Sequence, residues 1–288
     1  MNYRHAFHAG NPADVMKHAV LALILERLTA KPAPFMVLDT HAGIGRYDLE
    51  GPEARRTGEA DAGIRRLLAA PADAVPDALR PYLAAVRALN AGAGDGAAAR
   101  WYPGSPRLAR AFLRPGDRLV LAELHPEDAK TLKAEFRGDD QTSVHHMDGW
   151  TSLKAHLPPK EKRGLVLVDP PFEATDEYER MAAGLALAHG RWPTGVFALW
   201  YAIKDRAQVW RFHQALEDSG IPKVLAAELT WAPEERLDRL VGSGMVVVNP
   251  PWQLDATLAD MLPALHRLLE APAGGSRVEW IAGEQAGV

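Results

Sequence analysis

Short apolar runs rich in Val, Leu and Ile recur along the chain, with stretches of helical pattern between them. Five runs are continuously apolar rather than alternating, which is typical of strands covered on both faces of a sheet. Because these runs alternate with helical stretches, we predict an α/β fold with a mostly parallel sheet and helices on both faces. The strong runs are residues 35–39, 118–123, 164–169, 195–200 and 244–249, and weaker strands are predicted at 143–146 and 226–231.

Three of the strong runs end in an acidic residue, namely Asp39, Glu123 and Asp169. Open α/β sheets bind their ligands beyond the carboxyl ends of the strands. We therefore expect these three carboxylates to gather at one rim of the sheet, where a ligand would bind.

Residues 51–99 break the alternation of strands and helices. They are rich in Ala, Arg, Leu and Pro and contain no convincing strand. The pattern predicts helices near 58–68 and 77–90, followed by the glycine-rich residues 91–96. We interpret 51–99 as a small helical insertion subdomain, and residues 1–50 together with 100–288 as the main α/β domain.

Composition narrows the class of protein. The 288 residues are 47% hydrophobic and 24% charged, which is ordinary for a soluble globular protein. The absence of cysteine excludes disulfides and thiolate metal sites and fits a reducing cytoplasm. The N-terminus has no signal-peptide pattern, and the apolar residues 19–25 are too few to cross a bilayer. We expect a cytoplasmic protein with no membrane association.

A net charge of −4 gives no general attraction to nucleic acid. Charge is uneven, however, since residues 100–118 hold five arginines against the single acid Asp117, and Trp101 and Tyr102 begin the stretch. Such a stretch either meets phosphates or forms a solvated helix face, and we favour the solvated face.

A glycine-containing segment, Asp39-Thr40-His41-Ala42-Gly43-Ile44-Gly45-Arg46, follows the first strong strand. Gly43 and Gly45 allow a sharp turn, and we expect a helix to open there with its amides facing a carboxylate or phosphate. The third glycine of the dinucleotide fingerprint is missing, which disfavours a nicotinamide oxidoreductase.

Two acidic positions follow the next strands. Glu123 lies where an acceptor for a ribose hydroxyl belongs, although a solvated strand end explains it equally well. Asp148, before Gly149, is placed to accept from an adenine amine, but an Asp-Gly pair is more often a simple turn.

The most informative motif is Asp169-Pro170-Pro171-Phe172, at the end of a strong strand. An aromatic amine is a poor nucleophile because its lone pair is delocalised into the ring. A carboxylate and the Pro170 carbonyl can accept its two N–H bonds and aim the lone pair at a methyl sulfonium. Phe172 can stack on the base, which must be flipped out of a helix to reach the pocket. The motif therefore predicts methylation of an exocyclic amine, against the alternative of a rigid turn.

A similar tetrapeptide, Asn249-Pro250-Pro251-Trp252, follows another strand. It comes late in the chain, with room for only one more helix and a short strand after it. We interpret it as a structural turn and place the chemistry at Asp169.

The N-terminal residues are dense in polar groups. His5 and His8 have no Glu between them and no matching third ligand, so we expect no metal site. Asn11-Pro12 is typical of a helix start, so the alternative to a functional role for the polar groups near it is a solvated helix start. Ser105 is a plausible helix cap.

The motifs and their order together resemble the RlmJ family of 23S ribosomal RNA adenine-N6 methyltransferases over nearly the whole chain. The matching pieces are Tyr3-Arg4-His5-x-Phe7-His8-Ala9-Gly10-Asn11, Asp14, Lys17-His18, residues 38–47, Thr57-Gly58-Glu59, Tyr102-Pro103-Gly104-Ser105-Pro106, Glu123-Leu124-His125-Pro126, Asp148-Gly149, residues 169–172, Ala198-Leu199-Trp200-Tyr201, and the stretches 242–245 and 249–252. Phe172 stands where we associate a tyrosine with the family, and Pro12 replaces a non-proline residue.

The resemblance implies a Rossmann-like S-adenosylmethionine-dependent methyltransferase sheet with a small helical insertion subdomain. The target would be an adenine in 23S ribosomal RNA, with no obligate protein partner. Asp169, Pro170 and Phe172 would form the catalytic motif, and Tyr3, His5 and Lys17 would meet the substrate. With the glycines of the loop added, the expected cofactor contacts are His18, His41, Gly43, Gly45, Ser105, Glu123, Asp148, Gly149 and Asp169.

Other functions fit parts of the pattern. A DNA-adenine or a protein-glutamine methyltransferase would present the same planar amine to Asp169. A non-catalytic RNA-binding or ribosome-assembly protein would keep the cofactor site without turnover. Which adenine is modified, and whether naked RNA or an assembling particle is used, are not determined by the sequence.

Overall fold

A computed structural model describes residues 4–92, 99–233 and 240–284. Its helices are α1 (Pro12–Thr29), α2 (Pro52–Thr57), α3 (Glu59–Ala62), α4 (Ile64–Ala69), α5 (Arg80–Leu89), α6 (Ser105–Phe112), α7 (Pro126–Glu135), α8 (Gly149–His156), α9 (Glu177–Arg191), α10 (Arg206–Asp218) and α11 (Leu254–Leu268). Its strands are β1 (Met36–Asp39), β2 (Arg46–Asp48), β3 (Trp101–Pro103), β4 (Arg118–Glu123), β5 (Thr142–His146), β6 (Gly164–Val168), β7 (Val196–Ile203), β8 (Val224–Thr230), β9 (Gly242–Val248) and β10 (Gly275–Ala282). Short 3₁₀ turns lie at His5–Phe7 and Asp77–Leu79.

The main sheet has the strand order β10-β8-β9-β7-β6-β1-β4-β5. The pairs that join β7, β6, β1, β4 and β5 are all parallel, and β9 pairs antiparallel with both β7 and β8. The predicted α/β class and the mostly parallel, Rossmann-like sheet are confirmed. The reversed strand β9 was not predicted, because a continuous apolar run carries no information about strand direction.

Apolar clusters cover the sheet on both faces. One cluster lies between the sheet and α1, α5, α6 and α11, and the other between the sheet and α8, α9 and α10. No helix in the described ranges is long and apolar enough to span a membrane.

The central helix α1 is buried on all sides. Its start is fixed by Pro12 at the first helical position and by Asn11, whose Oδ1 accepts a hydrogen bond from Asp14 N at 2.9 Å. Every residue from Ala13 to Leu25 is buried, so this part of the helix shows no polar face to solvent. The alternative of a solvated helix start is therefore excluded.

The expected helix after the glycine turn is also absent, and β2 takes its place. Gly43 and Gly45 adopt φ of +61° and +83°, which turn the chain into an extended segment that pairs with β3. Tyr47 of β2 packs back onto the turn, where a Cβ at Gly43 would lie 2.3 Å from its hydroxyl. The small β2–β3 sheet joins the two ends of the insertion.

The insertion contains helices near both predicted ranges, but the first is broken at Gly63. A Cβ there would lie 2.0 Å from the Gly10 carbonyl oxygen, so the close approach of the N-terminal segment requires glycine. Ile64, Tyr82 and Leu83 belong to the same apolar cluster as α1. The boundaries of a separate subdomain at 51–99 stay a prediction.

Candidate active site

A cavity of about 1040 Å³ opens at the carboxyl edge of the parallel strands. Four adjacent strands, β6, β1, β4 and β5, end at or just before Asp169, Asp39, Glu123 and Asp148. The predicted gathering of strand-end carboxylates is observed. The expected site residues that line the cavity are His5, Lys17, His18, His41, Gly43, Ser105, Glu123, Asp148, Gly149, Asp169, Pro170 and Phe172.

Two expected site residues are not in this lining. Tyr3 lies outside the described residues. Gly45 faces helix α7, where a Cβ would meet Leu132 at 3.1 Å and Phe136 at 3.2 Å, and its carbonyl accepts from Gly104 N at 3.0 Å. Gly45 therefore shapes the turn rather than the cavity wall.

The tetrapeptide that begins with Asp169 forms the turn after β6. Pro170 is buried, and Phe172 adopts φ of +51°, a strained conformation for a bulky residue. The Phe172 ring meets Tyr178 and Trp200 edge-to-face, with centroids 5.0 and 5.6 Å apart. Strain held in place by aromatic packing is common at functional sites.

Lys17 of α1 lies between two carboxylates. Its Nζ donates to Asp169 Oδ2 at 2.6 Å and contacts Asp14 Oδ1 at 2.9 Å. Asp14 Oδ2 also contacts His5 Nε2 at 2.8 Å and accepts from Gly10 N at 2.9 Å. The structure thus joins His5, expected from the resemblance, to Asp169 through a buried ionic network.

This ionic network sets the charge states of Asp14 and Lys17. Burial alone would raise the pKa of Asp14, but His5 and Lys17 beside it hold that pKa well below its usual range. Burial acts to lower the pKa of Lys17, but Asp14 and Asp169 together raise it above its usual value. Both groups are charged at neutral pH.

Asp39 is the most isolated acid of the rim. It is 1% exposed, and while Oδ1 accepts from His41 N at 3.2 Å, Oδ2 has no well-formed hydrogen bond. Burial raises the pKa of Asp39 to about 7, against the lowering influence of the Ser105 hydroxyl, and the negative charge of Asp169 raises it further. Ser105 is the first residue of α6 and not its cap, which is Gly104.

His18 is a second buried polar residue, and one of its ring nitrogens has no hydrogen-bond partner in the protein. Its Nδ1 lies 2.7 Å from the hydroxyl of Tyr102, which in turn lies 3.0 Å from the hydroxyl of Tyr82. Burial lowers the pKa of His18 to about 3, so the ring is neutral, and Nε2 has no protein partner. If Tyr102 donates to Nδ1, Nε2 carries the proton and acts as a donor.

The far end of the cavity is built from the ends of β4 and β5. Glu123 accepts from Gly43 N at 2.8 Å and from His125 N at 2.7 Å, so it fixes the glycine turn. Asp148 caps α8 through Thr151 N at 2.8 Å. Gly149 lies so close to β1 that a Cβ would be 2.4 Å from Thr40 O. His41 packs edge-on against Trp150, with ring centroids 5.6 Å apart.

These residues fit S-adenosylmethionine by their chemistry. Asp39 is not itself part of the cavity lining, but its Oδ2 has no well-formed hydrogen bond and would suit an ammonium. His18 is part of the lining, and its unpartnered Nε2 suits a carboxylate if it carries the proton. Glu123 and Asp148 line the cavity at the other end, where a nucleoside offers hydroxyl and amine donors. A cavity of this size also leaves room for a second ligand.

The sequence pointed to Asp14 only as a match to the family pattern, and no role was predicted for Asp14 or, beyond the rim, for Asp39. The spacing Asp14-x-x-Lys17 places both side chains on one helix face, and this i,i+3 spacing was the available signal. The partner across the fold, Asp169, is 152 positions away and has no local signature.

The second tetrapeptide is a structural turn, as predicted. Since β9 runs antiparallel to β7, with Val248 opposite Phe197, Asn249 lies at the edge of the sheet opposite Asp169. Its Nδ2 donates to the carbonyls of Pro193 and Gly195, both at 2.8 Å. The Trp252 side chain is 81% exposed.

The arginine-rich stretch is not a simple solvated face. Each of its five guanidinium groups pairs with a carboxylate of this chain, and four of the five partners are more than 25 positions away along the chain. The pairs are Arg100–Asp48, Arg107–Glu135, Arg110–Asp139, Arg114–Asp117 and Arg118–Glu161.

Comparison with known proteins agrees with this architecture. A protein of Escherichia coli (strain K12), named ribosomal RNA large subunit methyltransferase J, is 44% identical over 285 residues, which cover 99% of this chain and the whole relative. A protein of the same name from Haemophilus influenzae is 43% identical over the same shares. A crystal structure from Legionella pneumophila superposes with a TM-score of 0.86 at 30% identity, covering 94% of this chain and 98% of that one.

The family model described as "Ribosomal RNA large subunit methyltransferase D, RlmJ" matches residues 32–282. That range includes β1 to β10 and the four strand-end carboxylates. This chain belongs to the RlmJ family of ribosomal RNA large subunit methyltransferases.

Proposed function

We propose that this protein transfers a methyl group from S-adenosylmethionine to the N6 amine of an adenine in 23S ribosomal RNA. The observation that carries the proposal is the Asp169 tetrapeptide at the carboxyl end of β6, facing a cavity in a chain that belongs to the RlmJ family. We further propose that the reaction takes place in the cytoplasm without an obligate protein partner.

The cofactor would be held along the strand ends. When bound, its sulfonium supplies an electrophilic methyl group and a neutral thioether as leaving group. His18 and Asp39 would hold the amino-acid part, with Ser105 and His41 beside them. Glu123 would accept from the ribose, and Asp148, next to Gly149, from the adenine amine.

The target amine would be oriented by the tetrapeptide. Asp169 Oδ1 and the Pro170 carbonyl would accept its two N–H bonds, because Oδ2 is already used by Lys17. This arrangement draws the nitrogen toward a tetrahedral shape and aims its lone pair along the line of transfer. Asp169 need not remove a proton before attack, since the proton can leave after the N–C bond has formed.

Phe172 would stack on the flipped base. Its ring is held by Tyr178 and Trp200, so little side-chain freedom is lost when a base arrives. Base–aromatic stacking contributes about 1–3 kcal/mol. His5 and Lys17, and by resemblance Tyr3, would contact the substrate near the same opening.

The acceptor class is tested with isotope-labelled S-adenosylmethionine and three separate acceptors: 23S RNA that lacks the modification, DNA, and protein extract. Nucleoside analysis should find N6-methyladenosine in the RNA alone. Label in DNA or in protein glutamine would refute the RNA assignment in favour of those methyltransferases. RNA binding with no label in any acceptor would favour a non-catalytic RNA-binding protein.

A further inference from the structure

Three charged side chains lie in contact where the target amine would react. Lys17 Nζ is 2.6 Å from Asp169 Oδ2 and 2.9 Å from Asp14 Oδ1. The side chains of Lys17, Asp14 and Asp169 are only 5%, 2% and 15% exposed. Two carboxylates and one ammonium leave this triad with one net negative charge.

Asp14 is locked in place within this triad. Its Oδ2 accepts from Gly10 N at 2.9 Å and contacts His5 Nε2 at 2.8 Å, while Oδ1 faces Lys17. With every oxygen engaged by this chain, Asp14 acts on the reaction through Lys17 rather than by touching the base.

We propose that Asp14 is a positioning residue for methyl transfer, which holds Lys17 on Asp169 and offsets the Lys17 charge. This inference rests on the proposed function. Without the Asp14 carboxylate, Lys17 would cancel the charge of Asp169. The pocket would then be one unit more positive at the moment when the attacking nitrogen becomes cationic.

The movement of charge during the transfer explains why the net charge of the triad affects the rate. The N6 lone pair forms the bond to the methyl carbon, and the electron pair of the carbon–sulfur bond stays with sulfur. Nitrogen therefore carries a positive charge until one N–H proton leaves to the Asp169 carboxylate or to water. A neighbouring negative charge in a dry site stabilises this developing cation.

Other titratable groups surround the triad. His5 approaches Asp14 from the N-terminal 3₁₀ turn, His18 shares helix α1, and Asp39 and His41 approach from the end of β1. Burial lowers the pKa values of His18 and His41 to about 3 and about 4, so both are neutral at pH 7. The removal of the Asp14 charge thus makes the pocket more positive whatever the state of Asp39.

A double-mutant cycle tests the proposal. The wild type, Asp14→Asn, Lys17→Met and the double variant are compared by single-turnover transfer to unmodified 23S RNA, with both substrates saturating. We expect Asp14→Asn to slow transfer about 10- to 100-fold when Lys17 is present. In the Lys17→Met background the same change should slow it less than about threefold, because there is no cation left to offset. Cofactor affinity should change little throughout.

A purely structural role for Asp14 predicts a different cycle. Asp14→Asn would then slow transfer by the same factor in both backgrounds, or would weaken cofactor or RNA binding instead, and either result refutes the inference. A wild-type protein that transfers no methyl group refutes the proposed function itself. Wild-type transfer with an additive cycle refutes the inference alone.

A second readout serves if Asp14→Asn fails to fold. Lys17 helps to hold the pKa of Asp14 below its usual range, and Lys17→Met removes that influence. The acid limb of the rate–pH profile should move up by about one unit or more. An unmoved limb contradicts the proposal. Lys160→Met, an exposed lysine before the start of β6, is the matched control and should leave the profile unchanged.

Discussion

At the scale of single residues, the four strand-end acids differ because their surroundings differ. Asp169 holds an ammonium, Glu123 holds two backbone amides, and Asp148 caps a helix. Asp39 has one oxygen with no well-formed hydrogen bond and a pKa raised to about 7 by burial. Carboxylates at equivalent strand ends therefore make four different sets of contacts.

The raised pKa of Asp39 makes stability depend on pH. The folded pKa of about 7 lies above the ordinary 3.8, so the folded protein binds this proton more tightly than the unfolded chain. The associated stability is fully present below pH 3.8 and is lost as pH rises toward and through 7. Asp39→Asn should therefore have a higher Tm than the wild type at pH 8, with a smaller difference at pH 5.

The same variant should bind S-adenosylmethionine more weakly, because an amide cannot balance the ammonium of the cofactor. Thermal unfolding across pH and calorimetric titration measure the two effects. Asp140→Asn, at an exposed surface position, is the control and should show neither. A Tm difference between Asp39→Asn and wild type that does not vary with pH would contradict the assigned ionisation.

At the scale of elements, β6 and β9 show what sequence alone could predict. Both are apolar strands followed by a polar residue, two prolines and an aromatic ring, and both were predicted close to their observed ends. Only the sheet reveals that β9 runs the other way and places Asn249 at the opposite edge from Asp169. Strand existence follows from local pattern, whereas strand direction follows from the packing of the whole domain.

The distinction between local pattern and packing of the whole domain also explains why β2, β3 and the burial of α1 were not predicted. The three-residue strands β2 and β3 are too short to show a period, and their pairing depends on residues more than 50 positions apart. Helix α1 looked solvated because Asp14, Lys17 and His18 are polar, yet they are buried through partners elsewhere in the fold. Motif residues were predictable from sequence, and the groups that hold them were not.

Asn249→Ala tests whether the second tetrapeptide has a structural role rather than a catalytic one. Two carbonyls would lose their donor and φ of +52° would be strained for alanine, so we expect a loss of about 1–3 kcal/mol in the free energy of unfolding. Methyl transfer by the folded variant should stay within about twofold of wild type. Urea unfolding and a transfer assay give both values, and loss of transfer in a stable variant would contradict the turn interpretation.

At the scale of the whole molecule, the arginines of residues 100–118 form ion pairs within the chain. Each of the five arginines of residues 100–118 pairs with a carboxylate of this chain, so this arginine-rich stretch is largely neutralised within a protein of net charge −4. We therefore predict that most RNA contacts lie outside this stretch.

Arg107→Gln tests whether an arginine of this stretch stabilises the fold rather than binding RNA. Arg107 binds Glu135 through its side chain and its backbone carbonyl and covers the Phe136 ring, so we expect stability to fall by about 1 kcal/mol. The salt dependence of RNA binding should not change. A fall in its logarithmic slope by about 0.7–0.9, the value for one phosphate contact, would show that Arg107 grips RNA after all.

The central claim is that the Asp169 tetrapeptide performs methyl transfer to adenine N6. Its most direct test is single-turnover transfer by Asp169→Ala to 23S RNA that lacks the modification, with Asn249→Ala as the matched variant at the opposite edge of the sheet. We predict that Asp169→Ala folds and loses at least about 100-fold in rate. Near-normal formation of N6-methyladenosine by a folded Asp169→Ala protein would contradict the claim.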